Sequence, residues 1–280
     1  MDAILLNVIG ETLQITLFTA LMMIAVDAVN IWSRGKISAL LKGKSKSRQY
    51  VVSSFIGAIP GCFGGFTNVT LYIHGLISFG ALAGSMIASS GDEAFVMLAM
   101  FPGTAVILFI LLFITGIIGG RVTDYLVKKF KMVTSSDCPE LIVHNTERNL
   151  KHFFTEHVYE HIIKKHIWKI AIWTFGALFV VEICFQYLHI EKITSEYKLL
   201  LLFLSAVIGL IPESGPHLIF VSLFANGFIP FSILFTSSVV QDGHGMLPLL
   251  SYSLKDSIKI KAFNFIFGLI LGLILFAAGW

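Results

Sequence analysis

The sequence predicts an all-α, polytopic membrane protein built from two inverted-topology repeats whose helices are interrupted by Gly and Pro. Composition is the first of three observations that predict this fold. Of 280 residues, 56% are apolar and 13% are charged, whereas about 25% of the residues in soluble proteins are charged. The mean hydropathy is +0.83 and the net charge is only +3. A surface this apolar excludes a soluble enzyme, a nucleic-acid-binding protein and a disulfide scaffold.

Long apolar stretches are the second observation. A helix needs about 20 apolar residues to cross a bilayer, and the cleanest stretches of about this length are residues 12–32, 103–120, 167–188 and 262–280. The regions 50–99 and 199–250 are also apolar, but Gly, Pro and Ser interrupt them. Arg34, the first basic residue, follows the first stretch, which predicts a membrane anchor and not a cleaved signal.

The basic residues predict the orientation of the chain. Most of them lie in residues 33–49, in residues 121–169, and at Lys255, Lys259 and Lys261. The positive-inside rule therefore predicts these segments in the cytoplasm and both termini outside. We expect a multi-pass protein of the cell (inner) membrane. Its predicted parts are a first transmembrane repeat at 1–126, a basic, His-rich cytoplasmic linker at 127–165, and a second transmembrane repeat at 166–280.

An internal repeat is the third observation. Residues 57–98 align without a gap on 209–250, and 12 of the 42 positions are identical. The same offset pairs Gly116 with Gly268 and Gly120 with Gly272, so both closing spans carry GxxxG, a motif for close helix packing. Loop charges reverse between the halves, which predicts inverted repeats. Inverted repeats with Gly/Pro-interrupted segments in matching positions are typical of secondary transporters.

The interrupted segments predict a binding site. They contain Pro60 and Pro212 at the first interruptions and Gly91 and Gly243 at the second, and non-helical backbone at membrane depth is tolerated where it lines a cavity. Ionisable residues there are functional candidates, and carboxylate, imidazole and thiolate together suit a transition metal. The candidate metal ligands or proton carriers are Cys62, Asp92, Glu93, Glu213, His217, Asp242 and His244. Candidates for the substrate or proton pathway are Asp27, Thr67, Asn68, Ser85, Glu182, Ser214 and Ser237. An ordinary wet turn at a helix end is the alternative.

The central loop is rich in histidine. His157 and His161 are four residues apart, so on a helix they share a face and could bind a metal. The segment 157–161 also fits the HxxEH protease pattern, but the loop offers no protease-sized domain. We favour an amphipathic linker with a solvated histidine face, and a metal-sensing or metal-delivering loop is the alternative.

The paired motifs resemble those of a family of ten-helix heavy-metal exporters, also labelled manganese transporters or arsenic-efflux-like membrane proteins. The matching elements are Pro60-Gly61-Cys62, Gly91-Asp92, Gly215-Pro216 and Asp242-Gly243. The resemblance covers about residues 10–280. It departs at Pro212-Glu213-Ser214, where the family pattern has Pro-Gly-Cys. The resemblance implies that the protein is a transporter more firmly than it implies that the substrate is a metal.

These observations predict a secondary transporter that exports a divalent or heavy-metal cation by alternating access, and not an enzyme. A small organic or arsenical solute is the alternative substrate. An intramembrane phosphatase is the alternative activity, but it needs arginine near the interrupted helices. The four arginines, Arg34, Arg48, Arg121 and Arg148, all lie in predicted cytoplasmic segments. No P-loop is present, so an ion gradient is the expected drive. Expected partners are the lipid bilayer and the transported ion or solute, with a homo-oligomer left open. No cofactor is expected other than a transported metal ion.

Overall fold

The computed structural model of the chain describes residues 45–134 except 62 and 92, residues 197–280 except 214, and scattered positions within 5–21 and 168–179. Regular secondary structure in these parts is helical, and they contain no strand. The prediction of an all-α fold is therefore confirmed. The predicted spans 12–32 and 167–188 lie mostly outside the described residues.

The first half contains three short helices, a fourth that is shorter still, and one long helix. They are α1 (Lys46–Gly57), α2 (Phe63–Ile73), α3 (Phe79–Ala88), α4 (Glu93–Met100) and α5 (Pro102–Lys129). At 1.5 Å per residue, α1 to α3 measure roughly 15–18 Å, about half of the hydrocarbon core of a bilayer. With 28 residues, α5 is long and apolar enough to cross it completely.

The second half repeats this order. Its elements are α6 (Lys198–Gly209), α7 (Gly215–Ala225), α8 (Phe231–Val240), a 3-10 turn (Gly243–Met246), α9 (Leu247–Tyr252) and α10 (Leu254–Ala277). The helices α6, α7, α8 and α10 each begin 152 residues after α1, α2, α3 and α5, respectively. The offset found in the sequence therefore also relates the helix boundaries, and α10 is the second helix long enough to span a membrane.

The helices α1 and α2 form an antiparallel hairpin. The Asn68 amide on α2 donates to the backbone oxygen of Ser53 on α1 at 3.1 Å and to that of Gly64 at 2.9 Å. The start of α3 returns to the start of α1, because the Ser78 backbone N–H donates to Gln49 Oε1 at 3.2 Å. The start of α1 and the start of α3 therefore lie next to each other, with residues 46–73 forming a hairpin between them.

Glycines allow the short helices to pack closely on the long ones. A Cβ atom at Gly120 of α5 would lie 2.7 Å from the backbone oxygen of Gly80 on α3, and Gly116 makes a similar contact with Gly84. In the second half, Gly272 of α10 packs on Thr236 of α8. The close packing that the GxxxG motifs predict is confirmed.

The outer faces of the long helices are apolar. Ile107, Ile110, Ile114 and Ile118 recur every three or four residues along α5, and each is about half exposed. Such spacing places them in one stripe of the helix surface. A continuous exposed apolar stripe on a helix of spanning length is typical of a lipid-facing helix.

The long helices extend further toward their basic ends than the apolar stretches predict. Lys255, Lys259 and Lys261 lie within the first eight residues of α10, not in a loop before it, and α5 continues to Lys129. Long basic side chains can keep an apolar stem in the membrane while the charged end reaches water, so a helix need not end where its apolar run does. The division at residues 126 and 166 stays a prediction, because most of the linker lies outside the described residues.

Candidate functional site

The interruptions of the helices meet one another. In the first half, the Gly61 backbone N–H donates to the backbone oxygen of Gly91 at 2.9 Å. In the second half, side chains make the corresponding connection, because Glu213 Oε1 lies 2.9 Å from His244 Nε2. Both Glu213 and His244 are buried. The first and second interruptions of each half therefore lie side by side.

The second interruptions of the two halves are also in contact. The Gln241 side-chain amide donates to the backbone oxygen of Ser89 at 3.3 Å. These two residues occupy equivalent positions of the repeat, 152 residues apart. The four interrupted segments thus converge at the centre of the described part of the protein.

A small cavity lies between the two halves at this centre. Its walls come from both halves and are formed by Glu93, Met97, His217, Val221, Leu234, Ser237, Ser238 and Gln241. His217 Nδ1 lies 3.1 Å from Ser237 Oγ, whereas His217 Nε2 has no hydrogen-bond partner among the described residues. Glu93 and His217 are each only 2% exposed. The cavity therefore combines a carboxylate, an imidazole and three neutral polar side chains with three apolar ones.

The repeat relates this cavity to a second place between the halves, and there the two backbones leave no space. The positions that correspond to His217 and Glu93 are Gly65 and Gly245. A Cβ atom at Gly65 would lie 2.8 Å from the Cα atom of Gly245, so the two backbones are in direct contact. Among the described residues, a cavity is therefore present at one of these two equivalent places and a direct backbone contact at the other.

Asp242 forms a buried ion pair beside this centre. Its Oδ2 lies 2.6 Å from Lys261 Nζ, and its Oδ1 accepts a hydrogen bond from the Asn264 amide at 2.8 Å. Lys261 also donates to the backbone oxygen of Gly209 at 3.0 Å. Asp242 is thus engaged by groups of the closing helix α10.

Two further contacts join the halves. Tyr72 on α2 donates to Asp256 Oδ2 at 2.7 Å, and Lys259 lies 3.0 Å from Asp256 Oδ1. Phe224 on α7, which is equivalent to Tyr72 in the repeat, packs on Phe101, with ring centroids 5.0 Å apart. One contact is polar and its counterpart is aromatic.

We expect Tyr72→Phe to lower the stability of the protein, because it removes a buried hydrogen bond to a carboxylate. Such bonds contribute about 1.5–3 kcal/mol. Thermal unfolding of the purified protein in detergent measures the effect. Tyr125→Phe is the matched control, because Tyr125 is 62% exposed; equal melting temperatures for the two variants would contradict the role given to Tyr72.

The structure brings some of the predicted site residues together. Glu93, His217 and Ser237 meet at the cavity, Glu213 pairs with His244, and Asp242 pairs with Lys261. Within the described residues, no group of three or more His, Cys, Asp or Glu side chains is close enough to hold a metal ion. Five candidates lie outside the described residues, namely Asp27, Cys62, Asp92, Glu182 and Ser214. All the histidines of the linker also lie outside them.

Three pathway candidates lie away from the cavity walls. Asn68 ties the α1–α2 hairpin together, and the Ser85 hydroxyl donates to the backbone oxygen of Leu82 in its own helix at 2.8 Å. Thr67 is buried on α2. Their membership of a pathway stays a prediction.

Sequence reasoning did not assign site roles to Gln241, Lys261 and Asn264. The charge pattern predicts Lys261 among the cytoplasmic basic residues, but its side chain is only 12% exposed. Lys261 and Asn264 are three residues apart, which puts them on one helix face. That spacing, inside a helix with an apolar continuation, is the signal that could have found the pair.

Comparison with known proteins assigns the chain to a family. A sequence profile of the family described as "Putative, 10TM heavy-metal exporter" matches residues 1–178 and 168–278. The chain belongs to this family. It is therefore a polytopic membrane protein of an exporter family, as the sequence motifs predicted. Comparison with curated proteins and with solved structures gives no match.

Proposed function

We propose that this family member is a secondary transporter that exports a divalent or heavy-metal cation through the cavity between its two halves. One observation carries the proposal: a carboxylate and an imidazole, Glu93 and His217, are buried in one cavity although they come from different halves. Ionisable groups at membrane depth are costly, and they mark ion pathways.

The chemistry of the cavity fits a borderline cation. Imidazole nitrogen and carboxylate oxygen together suit Mn²⁺, Fe²⁺ or Zn²⁺ better than they suit Ca²⁺, which prefers oxygen alone. Gln241 and Ser237 add neutral oxygen atoms to the wall. Cys62, Asp92 and Ser214 adjoin the same interruptions in sequence, and we propose that they complete the ligand set during transport.

We further propose that the halves are inverted relative to each other. The start of α3 lies at the end of α5, because the Gly80 N–H donates to Asp124 Oδ1 at 2.7 Å. In contrast, Asp256 near the start of α10 meets Tyr72, which lies close to the start of α3. The end of α5 and the start of α10 then lie on the same side, so the two long helices would run in opposite directions.

Basic residues support a cytoplasmic assignment for that side. Lys46 lies 3.3 Å from Asp124, and Lys259 donates to the backbone oxygen of Val133 at 2.5 Å. Residues from all three basic regions of the sequence therefore gather at one end, as the positive-inside rule requires of a cytoplasmic face. With this orientation the C-terminus is outside.

Alternating access gives the Tyr72–Asp256 and Phe101–Phe224 contacts a role. In the proposed cycle, the Tyr72–Asp256 contact closes the cytoplasmic side and the Phe101–Phe224 contact closes the outer side. Opening one contact at a time would expose the cavity to one side only. Rocking of one repeat against the other around a fixed site is the common mechanism of inverted-repeat transporters.

Metal transport by reconstituted protein tests the proposal. We expect wild-type proteoliposomes to move at least one of Mn²⁺, Fe²⁺ and Zn²⁺, and Glu93→Gln and His217→Asn to reduce the rate tenfold or more. Glu93→Gln keeps the size of the side chain and removes its charge, and His217→Asn replaces the imidazole with a smaller neutral amide. His74→Asn is the matched control, because His74 is buried but does not line the cavity.

The outcomes separate the candidate substrates. Transport of arsenite or an organic anion, without any metal, would retain the transporter and replace the cation as substrate. Wild-type rates for Glu93→Gln and His217→Asn would show that the cavity is not the transport site. Hydrolysis of a lipid pyrophosphate by the wild type, without transport, would favour the phosphatase alternative.

A further inference from the structure

The ammonium group of Lys261 occupies an oxygen-lined position inside the second half. Its oxygen contacts are Asp242 Oδ2 at 2.6 Å and the backbone oxygen of Gly209 at 3.0 Å. The Lys261 side chain is 12% exposed and that of Asp242 is fully buried. A lysine this well covered has exchanged water for a small set of protein oxygens.

Those oxygens are the kind that bind a free cation. Gly209 is the last residue of α6, and the last carbonyl groups of a helix have no partner within it and carry the negative end of the helix dipole. Carbonyl groups at the ends of half-helices, together with carboxylates, coordinate the coupling cation in many inverted-repeat transporters. The Asn264 amide holds the carboxylate of Asp242 in place by its other oxygen.

The first half shows that the helix packing does not require this ion pair. The positions equivalent to Gly209, Asp242, Lys261 and Asn264 are Gly57, Ser90, Phe109 and Leu112. They carry no charge, although the helices there begin and end at matching positions. The charged pair is therefore a feature added to the second half alone.

We propose that Gly209 and Asp242 form a monovalent-cation site that the chain fills permanently with its own lysine. The inference rests on the proposed function because it assumes that the interrupted helices serve ion transport. It follows that the protein needs no sodium or potassium ion at this position. Removing the ammonium group while keeping the oxygens should then create a site for an added cation.

Chemical rescue of Lys261→Ala tests the inference. The melting temperature of the purified protein is measured in detergent with sodium, ammonium or ethylammonium chloride, each against choline chloride at the same ionic strength. We expect the melting temperature of the wild type to be the same in all four salts. For Lys261→Ala, at least one small cation should raise it by several degrees in a concentration-dependent way, because a ligand that binds only the folded state stabilises it.

Asp242→Asn/Lys261→Ala is the matched control, and we expect no rescue because the carboxylate is gone. If Lys261→Ala does not survive purification in choline, the yield of monodisperse protein with each cation replaces the melting temperature. The inference is overturned if no cation rescues Lys261→Ala on either measurement, or if the cations stabilise the wild type or the double variant equally. No transported metal enters this experiment, so it fails or succeeds independently of the metal-transport assay.

Discussion

Asp242→Asn should be among the most destabilising conservative substitutions in the described part of this protein. The change leaves the Lys261 ammonium group in a covered position without its carboxylate. Removing one partner of a buried ion pair costs about 3–5 kcal/mol, because the remaining charge is uncompensated. Thermal unfolding in detergent should therefore show a clearly lowered melting temperature for Asp242→Asn and for Lys261→Met.

The double variant Asp242→Asn/Lys261→Met gives the decisive comparison. It removes both charges and keeps side chains of similar length, and neutral replacement of a complete buried pair is often tolerated. We expect it to be more stable than either single variant. A double variant that loses as much as the two single variants together would show that the residues act independently and that the ion pair contributes nothing.

Much of the fold could be predicted from the sequence because the same pattern of interruptions occurs twice, once in each half. A single Gly-Pro interruption such as Gly57-Ala-Ile-Pro60 is weak evidence for a break, but its recurrence at Gly209-Leu-Ile-Pro212 argues against chance. The helix starts in the structure follow the same offset of 152 residues. Composition could not show that residues 46–73 form two short antiparallel helices, because that arrangement depends on contacts such as the one between Asn68 and Ser53.

The site could be predicted less completely. Charge in an apolar run identified Glu93, His217 and Asp242 as candidates, and the first two do meet at the cavity. Sequence could not separate a cavity-lining acid from one that is neutralised by a lysine on another helix. Asp242 is neutralised in this way because Lys261, 19 residues later, folds back onto it.

The difference between the halves is as informative as their likeness. His217 and Glu93 line one cavity between the halves, and at the equivalent place Gly65 and Gly245 are in direct contact. Two glycines in contact let the backbones approach and leave no space for a ligand, whereas larger polar side chains hold the other contact apart. We therefore interpret the molecule as having one site between its halves, on the side of His217 and Glu93, and call this the single-site interpretation.

Gly245→Ala tests the closed contact directly. The added Cβ would lie 2.9 Å from the Cα atom of Gly65, and because that neighbour is backbone it cannot rotate away. The two halves must then separate locally, and overpacking of this kind costs about 1–3 kcal/mol. We expect a lowered melting temperature and a reduced rate of metal transport, since the contact joins the elements that must move against each other in the proposed cycle.

Gly103→Ala is the control, because a Cβ atom there meets nothing within 4 Å. In a helix it should be neutral or slightly stabilising. Gly65→Ala should resemble Gly245→Ala, and the combined variant should cost less than the sum of the two, because the first methyl group already parts the backbones. Residues in contact show coupling of about 0.5–3 kcal/mol. Strict additivity, or a Gly245→Ala protein as stable as Gly103→Ala, would mean that the halves do not meet at this point, and the single-site interpretation would then lose its structural basis.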